Sequence, residues 1–370
     1  MPAIIIHSDF SPKINFTKIV EQWYSKNKRD LPWRKTSDPY CIWISEIILQ
    51  QTRIEQGLDY YLRFLEKFPD IRSLAEADEE DVLKTWQGLG YYSRARNLHF
   101  AAHEIIAHHH GVFPKTYEGI RKLKGIGDYT AAAIASIAFA VPTPVLDGNV
   151  LRLFSRFFGI DEPIDKAKGK ALILGKVNQL LNPGHPGDFN QAIMEFGALQ
   201  CKPAPDCKIC PLKSGCVAFQ QKRVADLPVK SSKQKQRTRY FYYFIIFSGK
   251  GKYRSLFLNK RAGNDIWKNL FDFPLIEKEK AVSYDKLIRS KEWNDLFLGK
   301  KVNLIKESKP YRHILSHQII VARFYQLEVH VKTKLPYLKV AFNDISKYPV
   351  PRLVDKYLEE LHLLCSFTCN

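Results

Sequence analysis

Apolar residues recur at three- and four-residue spacing along most of residues 14–222. Ile42–Leu58, Glu79–Gln87, Arg94–His108 and Thr130–Ala140 carry that pattern, which predicts helices. Clusters of Gly, Pro and Asp punctuate them, as at Phe68-Pro69-Asp70 and Gly111-Val112-Phe113-Pro114. The pattern changes at Lys222–Arg239, where seven basic residues and one acid stand in little apolar sequence. That stretch reads as a solvated linker able to run along a polyanion. Beyond it, Arg239–Phe247 and Tyr253–Asn259 are rich in Tyr, Phe and Ile and flank Ser248-Gly249-Lys250-Gly251-Lys252, a strand–turn–strand signal. His317–Val331 is another strand-like run. A mostly helical region followed by an α+β domain from about 240 to 360 is therefore predicted, with no internal repeat.

Charge adds a partner to this picture. The 370 residues leave room for two or three domains, and 57 Lys and Arg against 38 Asp and Glu give a formal charge of +19. An excess of that size favours nucleic acid over the bland alternative, a basic soluble protein. No apolar run approaches the roughly 20 residues that span a bilayer. The three isoleucines near the N-terminus follow no basic region, so no signal peptide is expected. The expectation is a cytoplasmic, nucleoid-associated protein without membrane contact, in a reducing compartment.

Of the seven cysteines, four cluster as Cys201-x5-Cys207-x2-Cys210-x5-Cys216. In a reducing compartment they read as a metal centre rather than disulfides. Structural zinc and an iron–sulfur cluster both use four thiolates. Zinc ligands usually come as two close pairs, whereas only the middle pair is close here. Prolines 203, 205 and 211 stiffen the loop. The spacing favours a [4Fe–4S] cluster over zinc.

The segment Leu123–Asn149 combines a Gly125-x-Gly127 turn, an alanine-rich helix beginning near Tyr129, and Asp147 followed by Gly148 and Asn149. Backbone amides at such a turn can hold a phosphate oxygen, with a bridging cation, and Lys122 and Lys124 stand alongside. By itself, Gly-x-Gly is more often an ordinary turn. An Asp-Gly pair likewise reads first as a turn. Glu46 lies between Ile44 and Ile47 in a very apolar run, where burial would raise its pKa. In isolation it reads first as a surface glutamate of an amphipathic helix.

Taken together, these residues resemble the endonuclease III superfamily of base-excision DNA glycosylases. Within it the chain is most similar to the adenine DNA glycosylases, the MutY family. Leu31-Pro32-Trp33-Arg34, Trp43–Thr52 and Gly88–Asn97 carry the subfamily likeness, which is strong over about residues 14–225. The first cysteine gap departs from the family, with five residues instead of six.

The resemblance implies a mostly α helix-hairpin-helix glycosylase fold with a cluster loop, then an α+β Nudix-like domain. The implied domains are residues 1–225, with a six-helix core at about 32–142 and a cluster-bearing subdomain at about 1–31 and 143–225. A basic linker over 226–238 and a Nudix-like lesion-recognition domain over 239–370 follow. It implies a monomeric, monofunctional enzyme that flips out adenine opposite 8-oxoguanine or guanine in duplex DNA and leaves an abasic site. A bifunctional glycosylase/lyase and a non-catalytic mismatch-binding scaffold are the alternatives.

Roles are implied as well. Glu46 falls on the acid that protonates adenine and Asp147 on the catalytic aspartate, with Asn149 hydrogen-bonded beside it to keep it ionised. Tyr129 stands where bifunctional relatives hold a Schiff-base lysine, and a phenol cannot form an imine. It is also placed to assist Asp147. Gln51 and Tyr91 fall on the wedge that fills the duplex, and Trp33, Arg34 and Gln191 on the adenine pocket. Gly125 and Gly127 form the phosphate turn, and Cys201, Cys207, Cys210 and Cys216 hold the cluster. In the C-terminal domain, Ser316 and His317 fall on the loop that checks 8-oxoguanine, where Leu315 replaces a usual aromatic. The Glu-rich helix of Mg²⁺-dependent Nudix hydrolases is missing between 275 and 300, so pyrophosphohydrolase activity is not expected.

Overall fold

The structure is a computed structural model that describes residues 15–231, 236–249, 255–297, 302–315, 317–329 and 335–367. The chain divides into two compact units. One comprises Met1–Arg72 with Ala101–Ser232, the other Ser73–Phe100 with Lys233–Asn370. The two hydrophobic periods read from the sequence map onto a helical first unit and a sheet-centred second one. No helix among the described residues is long and apolar enough to cross a membrane.

In the first unit the Pro186–Leu199 helix is the central beam. Its Phe189, Ile193 and Phe196 are buried with Phe16 and Val20 of Phe16–Asn27 and Val150, Leu153, Phe154 and Phe157 of Gly148–Phe158. Close approach to the last of these needs a glycine. A Cβ on Gly197 would stand 2.8 Å from the Asn149 Cβ, well inside contact distance.

The expected single helix Ile42–Leu58 is two helices, Pro39–Ile48 and Ile54–Lys67. Between them Gln51 adopts a left-handed backbone with φ 61°. Apolar periodicity runs through such a break because each helix keeps a buried apolar face, Ile42, Ile44, Ile47 and Ile48 on the first and Tyr61 and Phe64 on the second. Gly57 seals the corner, since a Cβ there would meet Leu49 Cδ2 at 2.7 Å.

The start of the expected linker is packed rather than solvated. Leu227 is buried, and its carbonyl accepts from Arg156 Nε at 2.8 Å. Val229 O accepts from Ile164 N at 3.0 Å. Its high charge concealed one apolar anchor.

The second unit holds β1 (Arg237–Ser248), β2 (Ser255–Lys260), β3 (Phe271–Asp272), β4 (Leu275–Lys278), β5 (Val302–Glu307), β6 (Tyr311–Ile314), β7 (Gln318–Val329) and β8 (Leu338–Ala341). The sheet runs β3-β2-β1-β7-β5, with β4 on β1, β6 on β7 and β8 on β2. β1 and β7 pair in parallel, from Arg237 opposite Gln318 to Phe247 opposite Glu328. β1 is a nearly continuous apolar run from Tyr240 to Phe247 because both sheet faces are covered there, whereas β7 is interrupted by Arg323, Gln326 and Glu328. Tyr242, Phe244, Tyr325 and Leu327 pack with Leu287, Trp293 and Phe297. On the other face Phe324 stacks on Tyr357 with ring centroids 4.0 Å apart. Residues of Ser73–Phe100 join this unit through polar contacts. Gln87 Nε2 donates to Asp355 Oδ1 at 2.9 Å, and Tyr92 donates to the Val350 carbonyl at 3.1 Å.

Candidate active site

Two helices, Tyr117–Lys122 and Asp128–Phe139, are joined by the Gly125–Gly127 turn. Gly125 sits at φ 80°, a conformation open to glycine. Gly127 is the extended N-cap of the second helix, and a side chain there would meet nothing within 4 Å. The turn is braced within the protein: Lys124 N donates to Glu104 Oε2 at 3.0 Å, and Arg121 Nη1 donates to the Ile126 carbonyl at 3.0 Å. Both glycines line the same cavity wall, and the turn leads directly into the N-terminus of a helix.

Twenty residues on, Asp147 caps the Gly148–Phe158 helix. Its Oδ1 accepts from Val150 N and its Oδ2 from Asn149 Nδ2, each at 2.7 Å. The loop bringing it there is pinned by buried Asn190, which donates to Ser136 Oγ at 2.9 Å and to the Thr143 carbonyl at 2.7 Å and accepts from Val145 N. The side chain nonetheless pays for its burial. Desolvation lifts the Asp147 carboxyl above the ordinary carboxylate range, against the pull of Val150, Asn149 and Arg152. The hydrogen bonds expected to keep it ionised, from Val150 N and the Asn149 amide, are present.

Glu46 comes from the other side, on the Pro39–Ile48 helix whose Ile42, Ile44, Ile47 and Ile48 are buried. Burial pushes its carboxyl up to about 7; Asp147 adds to the rise, while Tyr129 and Arg34 oppose it. The Tyr129 hydroxyl donates to Met194 Sδ at 3.4 Å and bonds to Glu46. Among the described contacts its hydrogen-bond partners are therefore Met194 and Glu46, not Asp147 as the sequence suggested.

Glu46, Tyr129, Asp147 and Asn149 line one cavity of about 1510 Å³, together with Trp33, Arg34, Gln51, Gln191, Gly125 and Gly127. Trp33 is nearly buried and stands edge-on to Tyr61, ring centroids 5.1 Å apart. Tyr24 donates to Gln191 Oε1 at 3.3 Å. Arg34 donates twice to Glu195, which also receives Arg29. Sequence reasoning missed Arg29, Glu195 and Asn190. No local pattern marks them, because their partners lie more than 40 residues away in the chain.

Gln51 is exposed in the first unit and Tyr91 is 42% exposed in the second. Both take a left-handed backbone, φ 61° and φ 49°, which is strained for non-glycine residues and clusters at functional sites. His317 is exposed just before β7, beside a turn closed by Leu315 N on the Gln318 carbonyl at 2.9 Å. Ser316 lies outside the described residues.

The four clustered cysteines share the wall of a small apolar cavity with Leu153, Phe157 and Phe196. Arg156 reaches Cys201 Sγ at 3.7 Å and clamps the loop through the Lys202 and Pro203 carbonyls. Among the described residues, no three His, Cys, Asp or Glu converge as ligands of a single metal ion.

Residues 44–179 match the family model of the HhH-GPD superfamily base excision DNA repair protein, and residues 242–360 match that of the NUDIX domain. The chain is similar to an adenine DNA glycosylase of Buchnera aphidicola subsp. Acyrthosiphon pisum (strain APS). The two are 34% identical over 362 residues, covering 94% of this chain and 97% of the relative. An adenine DNA glycosylase of Schizosaccharomyces pombe is 32% identical over 82% of this chain and 79% of its own. One from Homo sapiens is 42% identical over 54% of this chain and 38% of its own. Among solved structures, a thermostable thymine-DNA glycosylase matches with a TM-score of 0.52 and 28% identity, over 56% of this chain and 95% of that one.

Proposed function

The chain belongs to the adenine DNA glycosylase family, and from its site we infer a monofunctional enzyme that hydrolyses the N-glycosidic bond of adenine opposite 8-oxoguanine in duplex DNA. One observation carries the chemistry: two carboxyls, Glu46 and Asp147, line the same cavity, Asp147 held by a helix-cap N–H and the Asn149 amide, Glu46 in an apolar helix against the Tyr129 phenol.

Adenine leaves easily only when its ring is protonated and the sugar's positive charge is balanced. Glu46, held near neutrality, carries the proton to adenine N7. Asp147 accepts two hydrogen bonds that favour its charged form, and it faces the developing oxocarbenium ion as the carboxylate. The base is flipped out of the stack to reach them. Trp33, Arg34 and Gln191 line its pocket, and a glutamine amide suits the N6/N7 edge of adenine. Gln51 and Tyr91 fill the duplex, and the Gly125–Gly127 turn takes a phosphate. Ser316 and His317 read 8-oxoguanine. Without a lysine at position 129 no imine forms, so the strand is left intact at an abasic site.

The residues around Cys201, Cys207, Cys210 and Cys216 fit a [4Fe–4S] cluster. Four thiols stand around one small apolar cavity. The cluster's part in this reading is to fix the loop that Arg156 also holds; no step of base release runs through it.

The reading is tested on a duplex containing adenine opposite 8-oxoguanine, with and without alkali. Free adenine with strand scission only after alkali is the expected result. Scission without alkali, together with a borohydride-trapped covalent complex, would replace it with a lyase. Binding without adenine release would replace it with a scaffold. If Ser316→Ala with His317→Ala leaves the preference over adenine opposite guanine unchanged, the lesion is read elsewhere.

A further inference from the structure

Glu195 sits on the Pro186–Leu199 helix with its side chain 1% exposed. A lone carboxylate so deep would be costly, and this one is fully engaged. Arg29 donates through its backbone N at 3.0 Å, Nε at 2.9 Å and Nη2 at 2.6 Å. Arg34 donates through Nη1 at 2.8 Å and Nη2 at 2.7 Å. Both guanidiniums thus grip one anion in fork-to-fork fashion, the geometry that fixes an arginine most firmly.

Arg34, Glu195 and Glu46 all line the catalytic cavity. A guanidinium beside a carboxyl favours the carboxylate, the wrong form for a proton donor. We infer that Glu195 is a positioning residue for adenine release, fixing the Arg34 guanidinium in the pocket wall and offsetting its charge beside Glu46. This rests on the reading of Glu46 as the acid.

The charges around both groups agree. Glu46 is faced by Tyr129 from the hairpin helix, Asp147 from the neighbouring helix cap and Arg34 from the loop ahead of its own helix. Glu195 is faced by Arg29, Arg34 and Tyr24. Burial pushes the Glu195 carboxyl up, but the two arginines outweigh it and hold it at about 2, so its negative charge persists across the working pH range. Tyr24 also holds Gln191, so the cluster abuts the residue that faces the adenine edge.

The test is the single-turnover rate of adenine release by the full chain against pH, for wild type, Glu195→Gln and Arg29→Gln. Loss of Glu195 charge should lower the rate and move the alkaline limb down by about one pH unit. Arg29→Gln removes a positive charge instead and should move the limb the other way. A merely structural role lowers rates without moving either limb, and that result, or shifts of the same sign, would overturn the proposal. If Glu195→Gln does not fold, the direction of the Arg29→Gln limb decides alone. Absence of adenine release by the wild type would instead remove the reading of Glu46, a separate failure.

Discussion

Asn149 holds Asp147 from the side. Its Nδ2 donates to Asp147 Oδ2 at 2.7 Å, while its own Oδ1 accepts from Arg152 Nη2 at 2.8 Å. Arg152 in turn donates to the Gly197 carbonyl at 2.6 Å, so the central helix steadies the acid through two intermediaries. Asn149→Ala keeps the Cβ against which Gly197 packs but removes one of the two bonds that favour the Asp147 anion. Adenine release should fall by about 10²-fold, the scale of losing one donor to a catalytic charge. Duplex binding should persist, and a gel-shift beside the rate assay separates the two.

The Glu46 carboxyl, raised by burial to about 7, fixes the sign of two pH effects. As a proton donor it must be protonated, so adenine release should decline as pH rises through 7. Its folded pKa exceeds the ordinary value of about 4.3, so the folded chain binds the proton more tightly than the unfolded chain. Stability is therefore greatest below the unfolded pKa and is lost as pH rises through 7. Glu46→Gln should abolish release yet raise stability at pH 8 by on the order of 2 kcal/mol, with little gain at pH 4. Thermal melts at the two pH values read the difference.

Tyr129→Phe removes the phenolic hydroxyl that opposes the rise in the Glu46 pKa. Glu46 should then titrate higher, and the alkaline limb of the rate profile should move upward even as the maximum rate falls. An unmoved limb would mean that the hydroxyl acts on the substrate alone.

Arg156 is 4% exposed and satisfies three carbonyls, those of Lys202, Pro203 and Leu227. Arg156→Ala leaves the Leu227 carbonyl unpaired in a buried site, at about 1–3 kcal/mol before relaxation, and releases the carbonyls of exposed Lys202 and Pro203. Iron per chain and melting temperature should fall together. Retention of iron with only a lower melting temperature would limit Arg156 to packing.

Much of this was legible in the sequence because it depends on residues near one another in the chain. The hairpin, Asp147 with Asn149 and the cysteine quartet each occupy fewer than 20 residues, and their turn and cap chemistry is local. β1 announced itself as an apolar run, because a strand covered on both faces needs no polar alternation, and β7 as a run rich in Ile, Val, Phe and Tyr. Glu195 did not announce itself. A glutamate on an amphipathic helix looks solvated until Arg29 and Arg34, more than 160 residues earlier, fold onto it. Leu227 was hidden in the same way, as one apolar residue in a basic run whose value depends on Arg156. The division of Ile42–Leu58 into two helices was also invisible, since no Gly or Pro marks the left-handed residue.

The corner at Leu49–Arg53 has a consequence for how this chain can vary. Glu46 is aimed by the helix before the corner, and Gln51 by the left-handed backbone within it. One inserted or deleted residue between them would swing whatever follows by about 100° around the helix axis. Gln51 would then lose its bearing relative to Glu46, and the contact of Leu49 with Gly57 would be broken. Substitutions can drift through this stretch one at a time, but its length is not free to change.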